Sequence, residues 1–377
     1  PISKRLAQTP QRSTHPMRRQ ISGDGLNSSI YRMYQLAVFA FVVCGIMFCS
    51  PGADSVFFAC GMHGVGKLSY EDGKYSINKW FSCREMVDDI SLSCSGDYIF
   101  VVPYLLSGKG DHPVYAVSID DSKISQTHTI RGITDVASVH QVSESILLVF
   151  GRTMTDSLSS NSNSRLYTYD MKSDRILRSI EVRKYFFLSS SAVAYQDRSE
   201  SATGLPEWKY TDPMQEGADV LFRYSDAAEA NRTVLGIAKD SEAVFVVSAF
   251  EGALVIDHVV EKSLKRVVSL DAGFCQVVGD RKFLVHMKSD RSYHLIEVLS
   301  DMKTIKDAKI AESISERDVN CDEVARVLAN GDIIEFYDCG AGKWMKVYAY
   351  KQSDMSWSTL ESVPAGDISG RIVTVTN

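Results

Sequence analysis

Residues 165–182 read RLYTYDMKSDRILRSIEV. Two short runs rich in Tyr, Ile, Leu and Val flank a polar turn, which is the signature of an antiparallel strand pair. The same pattern recurs in both directions along the chain. It is found at 67–80 (KLSYEDGKYSINKW), 113–130 (PVYAVSIDDSKISQTHTI), 219–237 (DVLFRYSDAAEANRTVLGI), 254–270 (LVIDHVVEKSLKRVVSL), 292–310 (SYHLIEVLSDMKTIKDAKI) and 343–363 (KWMKVYAYKQSDMSWSTLESV). The turns fall near Asp72, Asp121, Asp174, Asp226, Glu261, Asp301 and Asp354, at spacings of 49, 53, 52, 35, 40 and 53 residues.

A second hairpin precedes most of these pairs. Residues 90–104 and 136–150 each read as two apolar strands around a polar turn, and Asn330-Gly331 is a strong two-residue hairpin signal within 322–337. Four strands in a repeat of roughly 40–50 residues suit a propeller blade. From Ser55 onward helical periodicity is almost absent. The expected fold is therefore all-β: a single β-propeller of about seven four-stranded blades over residues 54–377. The first unit starts directly at 55–60 (SVFFAC), and the chain finishes on a lone strand at 371–376 (RIVTVT). Placing that last strand in the first blade completes it and hides two edges that would otherwise template aggregation.

On these repeats the body resembles the β-propeller superfamily, in the manner of WD40-like and YVTN-like seven-bladed proteins. Leu166-Tyr167-Thr168-Tyr169-Asp170 is similar to the third strand and aspartate of such blades, as is Leu221-Phe222-Arg223-Tyr224-Ser225-Asp226. The Trp-Asp, Gly-His and Gly-Gly dipeptides that mark individual propeller families are missing. The resemblance thus implies a fold and transfers no functional residue.

The formal net charge is −6. The first 52 residues hold six bases and one acid, so the remainder carries 35 bases against 46 acids, a charge of −11. A body of that sign repels phosphate backbones, and no nucleic-acid partner is expected. Residues 1–35 form a basic tail, and 36–53 an apolar segment whose core, 36–49 (LAVFAFVVCGIMFC), is fourteen uncharged residues. That length suits a signal-peptide core better than a membrane span of roughly 20 residues. Small residues follow at Ser50, Gly52 and Ala53. The expected compartment is the secretory pathway, with the protein secreted or held as a type II membrane protein through this segment alone. A mitochondrial presequence, favoured by the Arg- and Ser-rich start, is the alternative.

Cys60, Cys83, Cys94, Cys275, Cys321 and Cys339 make an even number in the body. Under an oxidising compartment, Cys321 with Cys339 and Cys83 with Cys94 are candidate disulfides. Asn231-Arg232-Thr233 is a glycosylation sequon in a predicted turn.

Motifs for chemistry are few. Gly61 to Lys67 (GMHGVGK) has P-loop spacing, but Leu68 stands where Ser or Thr would hold Mg²⁺, and the following residues alternate like strands. A glycine-rich blade loop is the better reading. His63 and His112 fall in loops between second and third strands of neighbouring blades and are candidate binding residues on one face, while His140 lies on an innermost strand. Asp111, Asp135, Asp156, Asp197 and Asp212 lie in loops that could rim that face. No spacing isolates a catalytic pair among the carboxylates, and no metal site or cofactor is implied. The stretch 196–217 (QDRSESATGLPEWKYTDPMQEG) reads as a long inserted loop carrying Trp208, Tyr210 and Met214, residue types favoured at binding hot spots. The expected function is an interaction module presenting loops to a protein or glycan partner. A propeller hydrolase acting in the central channel and an anchored accessory subunit of a membrane complex are the alternatives.

Overall fold

The computed structural model describes residues 55–59, 64–105, 111–152, 164–189, 192–197, 204–312, 322–328, 330–338, 344–360, 363–364 and 372–375. The apolar segment 36–53, His63, Asp156, Cys321 and Cys339 lie outside the described residues. Among the described residues no helix is long and apolar enough to cross a membrane.

The chain is all-β, with six antiparallel sheets in a propeller-like arrangement. The first sheet contains β1 (Ser55–Ala59), β2 (Val65–Glu71) and β3 (Lys74–Phe81). The second runs β4 (Val87–Leu92), β5 (Tyr98–Pro103), β6 (His112–Ser118) and β7 (Ile124–Ile130). A seven-stranded sheet follows: β8 (Asp135–Ser143), β9 (Ile146–Arg152), β10 (Arg165–Asp170), β11 (Arg175–Ser189), β12 (Ala192–Asp197), β13 (Glu207–Thr211) and β14 (Asp219–Arg223). Its pairings divide it within β11, whose residues 175–181 pair β10 and whose residues 182–189 pair β12. One strand thus ends a four-stranded set and begins the next.

After the helical turn α1 (Ala227–Ala230), capped by Asp226, come two regular sheets. These are β15 (Thr233–Lys239) to β18 (Ser263–Leu270) through β16 (Val244–Phe250) and β17 (Ala253–Val260), then β19 (Ala272–Val277) to β22 (Ile305–Glu312) through β20 (Lys282–Met287) and β21 (Ser292–Val298). The last sheet holds β23 (Asp322–Val327), β24 (Ile333–Asp338), β25 (Trp344–Lys351) and β26 (Ser356–Thr359), with β27 (Val363–Pro364) also on β25. Finally β28 (Ile372–Val375) returns to pair antiparallel with β1, Phe57 opposite Val373.

The recurring acids of the sequence have a local cause. Asp121, Asp301 and Asp354 each accept a hydrogen bond from the backbone N–H two residues on, at 3.2, 3.0 and 3.2 Å, closing Asx turns between the third and fourth strands of their sets. Ser122, Met302 and Met355 in those turns take positive φ, as do Asp72, Asp174 and Glu261 in the equivalent turns. Six of the seven expected turns are therefore placed as read. The fourth is not. Asp226 caps α1 between two sets, and the true turn of that set lies at Asp212–Asp219, around Met214. Moving the turn from Asp226 to Met214 changes the spacings on either side from 52 and 35 to 40 and 47.

Second strands such as β9, β16 and β20 are buried along most of their length, whereas fourth strands such as β7 are largely exposed. Sets packed on both faces explain this gradient and the continuous apolar runs of the inner strands. Clusters of buried residues join each set to its neighbour. Phe57 and Ala59 pack with Ile90 and Val101, Trp208 and Phe222 with Val234 and Val246, and Phe245 and Val247 with Phe283 and Val285. Val56, Phe58 and Leu68 of the first set pack with Ile334, Phe336 and Val347 of the last. Each such Phe or Val, fully buried, is worth about 1.5–3 kcal/mol.

Candidate functional site

The first strands of four successive sets border one cavity of about 600 Å³. The second half of β11 supplies Tyr185, Phe186 and Phe187, and β15 supplies Leu235, Gly236 and Ile237. Phe274, Cys275, Gln276 and Val277 come from β19, and Arg326 comes from β23. Three of these strands are bulged near the cavity: β11 between Val182 and Lys184, β15 between Val234 and Gly236, and β19 between Ala272 and Phe274. A bulge re-aims the side chains that follow it. Gly236 also has a packing reason, since a Cβ there would lie 3.1 Å from a Val277 methyl on the facing strand.

The lining is aromatic and apolar with one cation, Arg326, on it, and Lys184 precedes the lining residue Tyr185 on β11. Arg326 donates through Nη1 to the neighbouring Ala325 carbonyl at 3.0 Å, and among the described residues no carboxylate pairs with it. Burial alone pulls its pKa down to about 10. Lys184 lies at the junction of β11 and β15, where its Nζ donates to the Val234 carbonyl and sits 5.5 Å above the Phe186 ring. Burial lowers its pKa too, and it likewise has no carboxylate partner among the described residues. The Gln276 side-chain carbonyl oxygen is buried without a hydrogen-bond partner. Burial pushes the Cys275 thiol up to about 12, so it is held as the thiol and is a poor nucleophile at neutral pH. A cation, aromatic faces and a free acceptor equip the cavity for binding. His140 is close by, its ring stacked 4.0 Å from that of Phe187.

A second group of titratable residues gathers on β4, β6 and β8. His112 is buried, and its Nε2–H donates to the Pro103 carbonyl at 2.9 Å. Burial lowers its pKa, and the charge of Asp135 opposes that shift. Asp88 is raised by burial first and by Asp135 second.

The hot-spot stretch 196–217 is not one loop, because β13 runs through it and pairs with both β12 and β14. Trp208 is a core residue at 1% exposure, stacked between Phe186 and Phe222, with its indole N–H donating to Tyr224 at 3.0 Å. Tyr210 is half-buried under Lys239, whose Nζ is 5.4 Å from its ring. Only Met214 of the three is well exposed, at 53%, in a turn that Arg178 pins by donating to the carbonyls of Gln215 and Gly217.

Asn231 is exposed at the C-terminal end of α1. Cys83 and Cys94 are both free. They flank the six residues of β4, an extended span of about 20 Å, so the expected bridge between them does not form. Gly64 precedes β2, and Lys67 lies inside that strand, so the P-loop spacing leads into a strand, as its missing Ser/Thr suggested. The loop carboxylates are likewise dispersed. Asp197 pairs with Lys209 at 2.5 Å, and Asp212 accepts from the Met214 backbone in its own turn.

No protein-family model matches the sequence, and no curated protein is significantly similar to it. Solved structures do share its shape. An oligogalacturonate lyase in complex with manganese superposes with a TM-score of 0.53 at 9% identity, covering 85% of this chain and 95% of that one. A functionally unknown protein from Desulfotomaculum acetoxidans gives 0.52 at 10% identity over 86% and 99%. A protein provisionally assigned as a 6-phosphogluconolactonase, from Bacteroides fragilis, gives 0.51 at 8% over 87% and 99%. These neighbours are propeller-type folds, and at such identities the likeness concerns the fold alone.

Proposed function

We propose that this chain is a seven-bladed propeller whose axial cavity binds a small ligand. The blade count is supported by the division of the seven-stranded sheet within β11, which leaves seven four-stranded sets. Ring closure is supported by β28 on β1 and by the packing of the first set on the last. The observation that carries the functional reading is the cavity bounded by first strands of consecutive sets, lined by aromatic rings and bearing a cation, Arg326, that meets no carboxylate among the described residues. Rigid scaffolds with a concave, mostly apolar pocket and a few polar groups are the usual form of a ligand site. An interaction module is retained, but with the cavity, rather than Trp208, as its recognition element. Export through the segment 36–53 is proposed on its sequence, and the exposed Asn231 suits glycosylation on that route.

Leu235, exposed at 39% on the cavity wall, provides the test. Leu235→Trp fills the cavity from a position that the core does not need. Fragments found by ligand-observed NMR on the wild type are expected to lose binding to this variant. Fragments that bind both proteins equally would remove the cavity as the site.

A second reading, a hydrolase, is favoured by one observation. Burial raises the Asp88 pKa and lowers that of His112, and the charge of Asp135 acts on both, so a carboxyl and an imidazole with shifted titration share one neighbourhood, as general acid–base chemistry requires. The lactonase and lyase names among the structural neighbours make ester, lactone and uronate substrates the natural panel. Turnover abolished by Asp135→Asn with the fold intact would support it, and turnover of none of them would set it aside.

A further inference from the structure

We infer that the cavity ligand is an anion, a small carboxylate- or phosphate-bearing molecule with a flat or ring-shaped body, and that Arg326 is its principal anchor. This rests on the proposed cavity site and names its ligand class. Buried cations in folded proteins are ordinarily paired, because the cost of removing a charge from water is recovered only through a counter-ion. Two well-buried arginines of this molecule obey that rule. Arg232 is held by Asp257 and Glu229, and Arg281 by Asp240 and Glu242. Among the described residues Arg326 departs from it: its hydrogen bond goes to a backbone carbonyl, no carboxylate meets it, and it borders the cavity, while Lys184, next in sequence to the lining residue Tyr185, is likewise held by a backbone carbonyl. Arg178 also meets no carboxylate among the described residues, but its guanidinium is taken up by the Thr211 hydroxyl and the Gln215 and Gly217 carbonyls, whereas Arg326 borders a cavity with one backbone carbonyl as its hydrogen-bond partner among the described residues. A guanidinium offers paired N–H donors that match a carboxylate or phosphate. Phe186, Phe187 and Phe274 offer ring faces beside it, and Gln276 a side-chain carbonyl for a ligand hydroxyl or amide.

The experiment is thermal unfolding of the full chain, wild type and Arg326→Met. Inorganic phosphate, phenyl phosphate, benzoate and the neutral analogue benzamide are each raised to about 50 mM at constant ionic strength. A ligand that binds only the folded state raises its melting temperature with concentration. Phenyl phosphate and benzoate are expected to raise that of the wild type, and benzamide to leave it unchanged. Without ligand, Arg326→Met is expected to melt above the wild type, because it removes an uncompensated charge, and to lose the response to anions. Lys184→Met should weaken the response less. An Arg326→Met protein that melts below the wild type, or that keeps the anion response, would overturn the assignment. So would a wild type indifferent to all three anions. Any of these results leaves the cavity itself to the Leu235→Trp test, which fails or succeeds on uncharged fragments as well.

Discussion

The hydroxyl of Tyr75 donates to Asp332 Oδ2 at 2.5 Å across 257 residues of sequence, and so ties β3 of the first set to the β23–β24 turn of the last. Both residues are buried. Asn330 Nδ2 and the Gln352 backbone N–H also donate to this carboxylate, each at 2.9 Å. Tyr75→Phe keeps the ring contact with Tyr70 and removes one donor of three, so the expected loss is about 1 kcal/mol, the low end for a buried acceptor deprived of a partner. The pH dependence has a definite sign. Burial and then the Asp332 hydrogen bond raise the tyrosine pKa, so the folded state resists its deprotonation. This contribution is complete below pH 10 and is lost as pH rises beyond it. Denaturant titration at pH 7 and pH 10.5 is expected to show the wild type losing more stability between the two than the variant does.

The strand content was legible because turn chemistry and alternation agree residue by residue. Asp121, Asp301 and Asp354 mark turns through their own side chains, and Gly331 at φ +86° takes the left-handed position of the Asn330-Gly331 hairpin. The fourth set was misread because β11 runs through two sets with no turn residue at the change of partner, and because Asp226 offers a cap that resembles a turn acid. Trp208 and Tyr210 looked like loop residues for the same reason. The cavity was not legible, although a signal existed. Tyr185, Leu235, Cys275 and Arg326 recur at intervals of 50, 40 and 51 residues, one from each first strand. Aligning the first strands, rather than the more regular outer pairs of each repeat, would have set them side by side.

Removing residues 370–377 takes away β28 and leaves β1 without its inner partner. All five residues of β1 are buried, and four register pairs join the two strands. The truncated chain is expected to melt at lower temperature and to associate through the open edge, as seen by circular dichroism and size-exclusion chromatography. Equal melting of the two proteins would show that the terminal strand contributes nothing to closure.

The three free thiols described should react in a fixed order. Cys94 is exposed. Burial, and then the hydrogen bond from its thiol to Glu85 at 3.2 Å, raise Cys83 to about 11, and burial raises Cys275 to about 12. Since the thiolate is the nucleophile, a rise of two pKa units slows alkylation on the order of a hundredfold. Timed maleimide labelling at pH 7.5 with peptide mass spectrometry is expected to modify Cys94 first, Cys83 much later and Cys275 only on unfolding. Early labelling of Cys275 would mean that the cavity admits the reagent and that its wall is far less dry than its packing implies.

Asp257 on β17 supplies the counterpart to Arg326. Its carboxylate is 1% exposed and meets Arg232 at 2.5 Å and Arg266 at 2.8 Å, while the Arg232 guanidinium lies 4.5 Å from the Phe250 ring. Removing the carboxylate strands Arg232, whose side chain is 5% exposed, with only Glu229 to balance it. Breaking a buried pair in this way costs about 3–5 kcal/mol, and the retained Glu229 places Asp257→Asn near 3. Arg266 is 38% exposed at its side chain, so Arg266→Ala should cost about 1 kcal/mol or less. Chemical denaturation of the two variants measures both. The sign of the comparison matters more than its size. Neutralising a charge that has a carboxylate partner should destabilise this fold, and neutralising Arg326, which has none among the described residues, should stabilise it. If both substitutions destabilise alike, then Arg326 is held for packing, and a half-buried arginine without a carboxylate is no mark of a ligand site in this protein.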